Sequence, residues 1–409
     1  MRVCFVSRRY WPAVSGMSVY AENLLRELVA LGHDVTLVSS YRDDEAGTRV
    51  YGGGPPPADR VPAGVRCVPV ASRGETVLPA DFEGDVQELA DTVVRLHREQ
   101  PFDVLHAQYG YPPGLAVLLA ARETGLPTVV SIQGGDGHWV GTCCATHKSA
   151  ITTVLDHSGA VLIGSPSFRD EVVGHHGTDP ARFRIVPGAT DPRAFTPADR
   201  PVGALQEVPV LLFHGRVDRR KGVLDLLDAY DVLTEERDLR LVVSGIGPDL
   251  DEVRDRSAGR VDVELTGYTA PADAPAVYRS ADVFVSPTYS EGFSNTILEA
   301  MASGLPVVST DSVGVVDCLR DGDNGLLHEP GDVAGLVAAL SRLLGDADLR
   351  ARLATAALDE VRERYSWPVL ARSIDAVYAE LAGSRPDLDW ELPGEVDPSC
   401  RFRSAAHLL

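Results

Sequence analysis

Residues 283–309 read VFVSPTYSEGFSNTILEAMASGLPVVS. An apolar run, Val283–Ser286, is followed by a loop of small residues, a stretch with helical apolar spacing, Asn295–Ala302, and a second apolar run, Pro306–Ser309. Short apolar runs rich in β-branched residues read as strands buried on both faces, and a helix between two of them is a crossover joining parallel strands. The alternation extends upstream through strands at Val210–Phe213, Leu239–Ser244 and Val261–Leu265, with a helix at Val223–Leu233. An earlier series comprises Val3–Val6, Val35–Ser39, Val104–Ala107, Thr128–Ile132 and Ala160–Ile163, with a helix at Ser18–Leu31 carrying Leu24, Leu25, Leu28 and Leu31 on one stripe. The pattern breaks at Val186-Pro-Gly-Ala-Thr-Asp191 and the proline-rich stretch to Pro201, a linker. The expected fold class is therefore α/β, with two doubly wound domains facing a cleft, 1–187 and 188–365. Residues 42–64 read as a loop, Pro368–Leu381 as a last amphipathic helix, and 384–409 as an irregular tail.

The 409 residues are 44% hydrophobic and 24% charged, enough to bury two cores. A formal net charge of −21 argues against nucleic acid as a partner and against broad adhesion to anionic lipid. Only two lysines occur, Lys148 and Lys221, which draws notice to each. Of the six cysteines (Cys4, Cys67, Cys143, Cys144, Cys318 and Cys400) no two form a C-x-x-C pair, so no zinc site is expected. Cys143, Cys144 and Lys148 read as ordinary helix residues, and a reduced, cytoplasmic setting fits best. The chain runs directly into a strand, and no apolar stretch reaches the roughly 18 residues of a membrane span.

Three segments carry chemistry. In the first, Glu291 and Glu299 are seven residues apart, one just before a helix and one a turn inside it. The helix start near Phe293, Ser294 and Asn295 offers backbone N–H groups to an anion, and Glu299 has reach for a ribose diol. The bland alternative makes Glu291 a helix-end charge and Glu299 part of a solvated face. The second segment, Phe213-His-Gly-Arg-Val-Asp-Arg-Arg-Lys-Gly222, sets an Arg216 fork and a Lys221 point charge between a strand and a helix, a pairing suited to a diphosphate. A solvated basic loop is its alternative. The third, Pro12-Ala-Val-Ser-Gly-Met-Ser18, is a weaker signal for backbone contact with phosphate. Asp-x-Asp strings at Asp249, Asp321, Asp346 and Asp387 read as turns and helix starts, so no metal is expected.

Taken in order, the Gly-Arg…Lys-Gly loop, the E-x7-E segment, the Val-Pro…Asp linker and Gly267-Tyr…Tyr278-Arg-Ser-Ala-Asp-Val-Phe-Val-Ser-Pro287 resemble the retaining glycosyltransferases of family 4, from Val3 to about Leu381. The resemblance implies the GT-B fold, two Rossmann-like domains with the helix at 366–383 crossing back to the first. It implies that Arg216 and Lys221 hold a donor diphosphate, Glu291 sugar hydroxyls with help from Phe293, Ser294 and Asn295, and Glu299 the ribose. Gly245, Gly267 and Tyr268 would frame the base, and Gly16 would close over the phosphates. His106, Tyr109, Gln133, Asp136 and His138 are the acceptor candidates; for His106 a hydrogen-bonded core histidine is the alternative, for His138 a surface loop residue. The chain departs from the family at Ser15-Gly16, where two glycines are usual, at His106-Ala-Gln108, at Gln133 in place of a common His, and at Gly188 in place of Asn. These departures fall mostly on the acceptor side. Gln133 cannot take a proton, so a general base there is not expected.

The expected function is retaining transfer of a sugar from a nucleoside-diphosphate sugar to a small soluble acceptor, in natural-product or thiol biosynthesis, with no cofactor, and with homo-oligomerisation left open. The alternatives are a nucleotide-sugar-binding protein without turnover, or an epimerase or phosphorylase on the same fold.

Overall fold

The computed structural model describes residues 1–42, 53–77, 80–392, 394 and 399–404; the rest of the expected 42–64 loop and of the tail lie outside the described residues. Two compact units emerge, one of Met1–Pro187 with Leu370–Leu409 and one of Gly188–Val369.

In the first unit the order is β1 (Arg2–Ser7), α1 (Gly16–Ala30), β2 (Asp34–Tyr41), β3 (Val65–Ala71), α2 (Phe82–Glu99), β4 (Val104–Gln108), α3 (Leu115–Thr124), β5 (Thr128–Ile132), α4 (Gly135–His138), α5 (Ala145–His157), β6 (Ala160–Ile163), α6 (Pro166–His176) and β7 (Phe183–Ile185). The strands form one parallel sheet ordered β3-β2-β1-β4-β5-β6-β7. The second unit continues with β8 (Val210–His214), α7 (Val223–Thr234), β9 (Arg240–Ser244), α8 (Leu250–Arg256), β10 (Val263–Gly267), α9 (Ala274–Ser280), β11 (Val283–Ser286), α10 (Asn295–Ala302), β12 (Val307–Thr310), β13 (Leu326–His328), α11 (Val333–Gly345) and α12 (Ala347–Arg364). Its parallel sheet is ordered β10-β9-β8-β11-β12-β13. Helix α13 (Trp367–Leu381) carries the chain back to the first unit, and α14 (Arg401–Ser404) follows.

Each sheet is covered on both faces, which is why its central strands are continuously apolar rather than alternating. Successive residues of β8 serve opposite cores: Leu211 and Phe213 pack with Leu226, Leu227 and Tyr230, whereas Val210 and Leu212 pack with Tyr278, Ile297 and Met301. Strand order reverses direction between β1 and β4 in one sheet and between β8 and β11 in the other, and loops beyond the carboxyl ends at such points are where open α/β sheets bind ligands.

Several elements differ from the sequence reading. Val261 is 100% exposed and β10 starts at Val263. Asp262 takes hydrogen bonds from Arg260 and Tyr230 while its carbonyl receives Leu241 N–H, so the chain joins the sheet only beyond Asp262. Strands β3, β7 and β13 were not expected. The first has only Val70 buried and tolerates Pro69 because it is an edge; the others are three residues long. The tail is less irregular than its proline and charge suggest. Trp390, Cys400 and Phe402 are buried, Arg122 stacks 3.6 Å above the Trp390 ring, and Ala80 N–H donates to the Arg403 carbonyl at 2.8 Å. Among the described residues no helix is long and apolar enough to cross a membrane.

Candidate functional site

The loops after β8 and β11 meet at the reversal point of the second sheet. Gly222 is in the left-handed region, and a Cβ there would sit 1.9 Å from the Pro287 carbonyl oxygen; Tyr289 N–H also donates to the Arg220 carbonyl at 2.9 Å. This close approach brings Lys221 Nζ to 2.6 Å from Glu291 Oε2. Glu291 is fixed from a third loop, where its N–H donates to the Val313 carbonyl at 2.9 Å and Gly314 leaves room that a Cβ would fill 2.2 Å from the Glu291 carbonyl oxygen.

The four basic residues of the β8 loop divide into two groups. Arg219 is bound to Asp249 and Glu252, and Arg220 forks onto Asp218. Burial pushes the Asp218 carboxyl up, but the hydrogen bonds and charge of Arg220, with the charge of Arg216, outweigh it and hold the group at about 2. Asp218 thus stays ionised and steadies Arg216, whose Nε lies 3.3 Å from it. Arg216 and Lys221 retain partly exposed side chains.

Helix α10 has Ser294 at its N-cap but no side-chain hydrogen bond there, so its first N–H groups stay available to an anion. Asn295 Oδ1 is buried without a hydrogen-bond partner, and Phe293 packs on Tyr365. One turn in, Glu299 Oε2 accepts a hydrogen bond from Tyr278 at 2.8 Å. Burial raises the Glu299 carboxyl and Tyr278 draws it partly back, leaving it at about 7. Gly245 touches the β8 loop so closely that a Cβ would meet the Gly215 carbonyl oxygen at 1.8 Å, and its N–H donates to the Gly267 carbonyl. Tyr268, next to Gly267, is 44% exposed. All ten residues expected in this unit therefore lie at the carboxyl ends of its strands, on the loops that follow them or on the first turns of α10.

The first unit treats its candidates differently. His106 is fully buried in β4, with Nδ1 hydrogen-bonded to Tyr378 and Nε2 to Ser131, and burial pushes it down to about 3. Both ring nitrogens are committed, so His106 is the core histidine of its alternative reading and not an acceptor contact. Asp136 is also buried. It accepts N–H groups of Gly110, Gln133 and Gly134 and braces that loop, with burial raising it to about 6. His138 is buried against Phe168 and bound to Glu171 at 2.7 Å, so it is not the surface loop residue of its alternative reading. Tyr109 is buried with φ at 98°, the one non-glycine residue at positive φ among those described. Gln133 keeps exposed surface and hydrogen-bonds Gln108 and Tyr20. Gly16 is exposed at the start of α1 with nothing within 4 Å of where a Cβ would stand.

Sequence reasoning missed a group at the ends of β1 and β2. Arg8 and Glu75 form a buried pair at 2.6 Å, and Arg9 and Arg42 approach the other Glu75 oxygen at 3.8 and 3.9 Å. Burial would raise Glu75, but the arginines override it and hold it below the usual carboxylate range. The four line one recess with Tyr10, Ser40 and Ser72. Arg8-Arg9 directly after β1 was the only signal available in the sequence.

Comparison with known proteins fits this layout. A family model for glycosyl transferases group 1 matches residues 208–346, and one for a glycosyl transferase 4-like domain matches 15–189. The chain is 30% identical over 381 residues to a D-inositol 3-phosphate glycosyltransferase of Arthrobacter sp. (strain FB24), covering 83% of this chain and 86% of that one. It is 30% identical over 403 residues to a GDP-mannose-dependent alpha-mannosyltransferase of Mycolicibacterium smegmatis, covering 94% and 99%. A sucrose-phosphate synthase from Thermosynechococcus elongatus superposes with a TM-score of 0.74 at 20% identity, over 93% of this chain and 98% of that one. With both units matched and both reversal points carrying their expected loops, the chain belongs to the family 4 glycosyltransferases of GT-B fold and is a glycosyltransferase that uses nucleotide sugars.

Proposed function

We propose that this enzyme transfers a sugar, with retention of anomeric configuration, from a nucleoside-diphosphate sugar held by the second unit to a small, soluble, negatively charged polyol held by the first. The observation that carries the reading is the Lys221–Glu291 contact of 2.6 Å where the β8 and β11 loops meet. Glu291 binds sugar hydroxyls, while Arg216, Lys221 and the uncapped N–H groups of α10 face the diphosphate. As the bond from the anomeric carbon to the β-phosphate oxygen breaks, its electron pair passes to the phosphate, and these groups stabilise the charge. The acceptor hydroxyl oxygen bonds to the anomeric carbon on the same face, and its proton passes to the departing phosphate oxygen. Catalysis is then positioning and electrostatics, with no resident cofactor. The ribose lies on Glu299, and the base beside Gly245, Gly267 and Tyr268.

Two observations support an anionic acceptor: Arg8, Arg9 and Arg42 line one recess of the first unit, and D-inositol 3-phosphate stands in the name of the Arthrobacter relative. A phosphorylase using pyridoxal would need a Schiff-base lysine in the donor site, where Lys221 is engaged by Glu291 and the other lysine, Lys148, lies on α5 of the first unit.

Thermal unfolding with UDP, GDP, ADP and dTDP, without added metal, tests the donor site. A ligand at about 100 times its Kd adds roughly 2.7 kcal/mol of stability. One diphosphate should stand out and lose its effect in Arg216→Ala; no shift with any of them would refute the donor assignment. The anomeric configuration of the product, read by NMR, decides retention.

A further inference from the structure

Cys143, Cys144, His147 and Cys400 converge in the first unit, although Cys400 lies 253 residues beyond His147. His147 Nδ1 is 3.2 Å from Cys143 Sγ, 3.5 Å from Cys144 Sγ and 3.3 Å from Cys400 Sγ. The four ligand atoms lie within 4.8 Å of one another. Cys400 is hydrogen-bonded to Cys143 and Cys144, and a single ring nitrogen accepts only one of the three S–H groups that converge on it. A disulfide would use two of the sulfurs and leave the third and the imidazole unexplained.

We propose that Cys143, Cys144, His147 Nδ1 and Cys400 bind a structural zinc ion. Zinc holds thiolates at about 2.3 Å and imidazole nitrogen at about 2.1 Å, so the edges of its tetrahedron are roughly 3.5–3.8 Å; the three nitrogen–sulfur distances fall a little below that range or at its edge, and all four atoms lie within 4.8 Å. Three sulfurs and one nitrogen form a soft donor set suited to zinc rather than magnesium or calcium. Four protein ligands leave no open position, so the ion would brace the fold and do no chemistry on substrate.

The surroundings agree. His147 N–H already donates to Cys144 Sγ at 3.4 Å. With Nδ1 on the metal, the proton would reside on Nε2, which lies buried against the rings of Tyr111 and Phe402.

The site would clasp the tail. Cys400 directly precedes α14, whose Phe402 is buried, and Arg401 donates to the Trp139 carbonyl in the loop leading to Cys143. The lack of a C-x-x-C pair pointed away from zinc; folding of the tail supplies the ligand that spacing did not.

The test is metal analysis of the full-length chain, produced with zinc available and purified under reducing conditions. Equimolar zinc is expected, retained in Cys4→Ser and Cys318→Ser and lost in Cys143→Ser and Cys400→Ser. Should those last variants fold poorly, cobalt in the wild-type chain decides: a tetrahedral d–d spectrum with intense thiolate charge transfer supports the site. Less than equimolar zinc after reconstitution, an octahedral cobalt spectrum, or a disulfide among the three cysteines in the reduced, folded chain would overturn it.

Discussion

Gly188 lies so close to Asn295 that a Cβ on it would stand 2.1 Å from the Asn295 side-chain oxygen, and 2.8 Å from the Phe293 ring. The glycine that departs from the family pattern is thus matched to the start of α10, the segment assigned to the donor. Gly188→Ala should cost about 1–3 kcal/mol through overpacking or drive Asn295 and Phe293 from their places. Adding Asn295→Ala should restore the melting temperature, with a coupling above about 0.5 kcal/mol. Thermal unfolding of the two single variants and the double variant checks this. Additive effects would mean that the two positions are independent.

Lys221→Ala should separate chemistry from stability. The Lys221–Glu291 pair is partly exposed, and such pairs contribute roughly 0–1 kcal/mol. Stability should therefore barely change, whereas loss of a group stabilising the leaving phosphate should lower kcat by about 10²–10³-fold. Steady-state kinetics beside a melting curve is the measurement, and an unchanged kcat would remove Lys221 from the mechanism.

Much of this second-unit site was legible because its parts are contiguous: a strand, a loop and a helix start fall within one readable segment. The first unit resisted because its decisive contacts join distant positions. His106 meets Tyr378 across 272 residues, and Arg8 meets Glu75 across 67. A histidine on a buried strand looks the same in sequence whether its ring faces a ligand or a tyrosine. Val261 was misplaced for a related reason: its apolar character suggested a strand that the Asp262 contacts delay by two residues. The cysteine cluster was hidden because one of its ligands sits in a tail whose composition suggested irregular structure.

Glu299 predicts a pH dependence. Burial holds it at about 7, against an ordinary value of 4.5. Its folded-state value is raised, so between these limits the unfolded chain gives up a proton that the folded chain keeps. The unliganded enzyme should therefore lose stability, relative to Glu299→Gln, as pH rises from about 4.5 to about 7, and the difference should level off above that. A ribose donating its hydroxyls to the carboxylate favours ionisation, so nucleoside-diphosphate affinity should rise through the same range, by up to about tenfold per pH unit. Calorimetry at about pH 6 and pH 8 on both proteins isolates the effect, because titration of the diphosphate itself is common to both. Parallel curves would place the ribose elsewhere.

Arg9 and Arg42 give the sharpest test of the acceptor. They lie 3.8 and 3.9 Å from Glu75, whereas Arg8 is buried against it at 2.6 Å. Removing Glu75 would strand the Arg8 charge inside the protein and cost about 3–5 kcal/mol, so it says little about substrate. Arg9→Ala and Arg42→Ala leave that pair intact. Each should raise KM for a phosphorylated polyol acceptor about tenfold or more, the loss of a charge-assisted hydrogen bond of about 1.5–3 kcal/mol. Donor hydrolysis in the absence of acceptor should stay unchanged, because the donor groups belong to the other unit. An equal loss with a neutral polyol would show that the recess does not read charge, and a parallel loss of donor hydrolysis would show that it serves the donor instead.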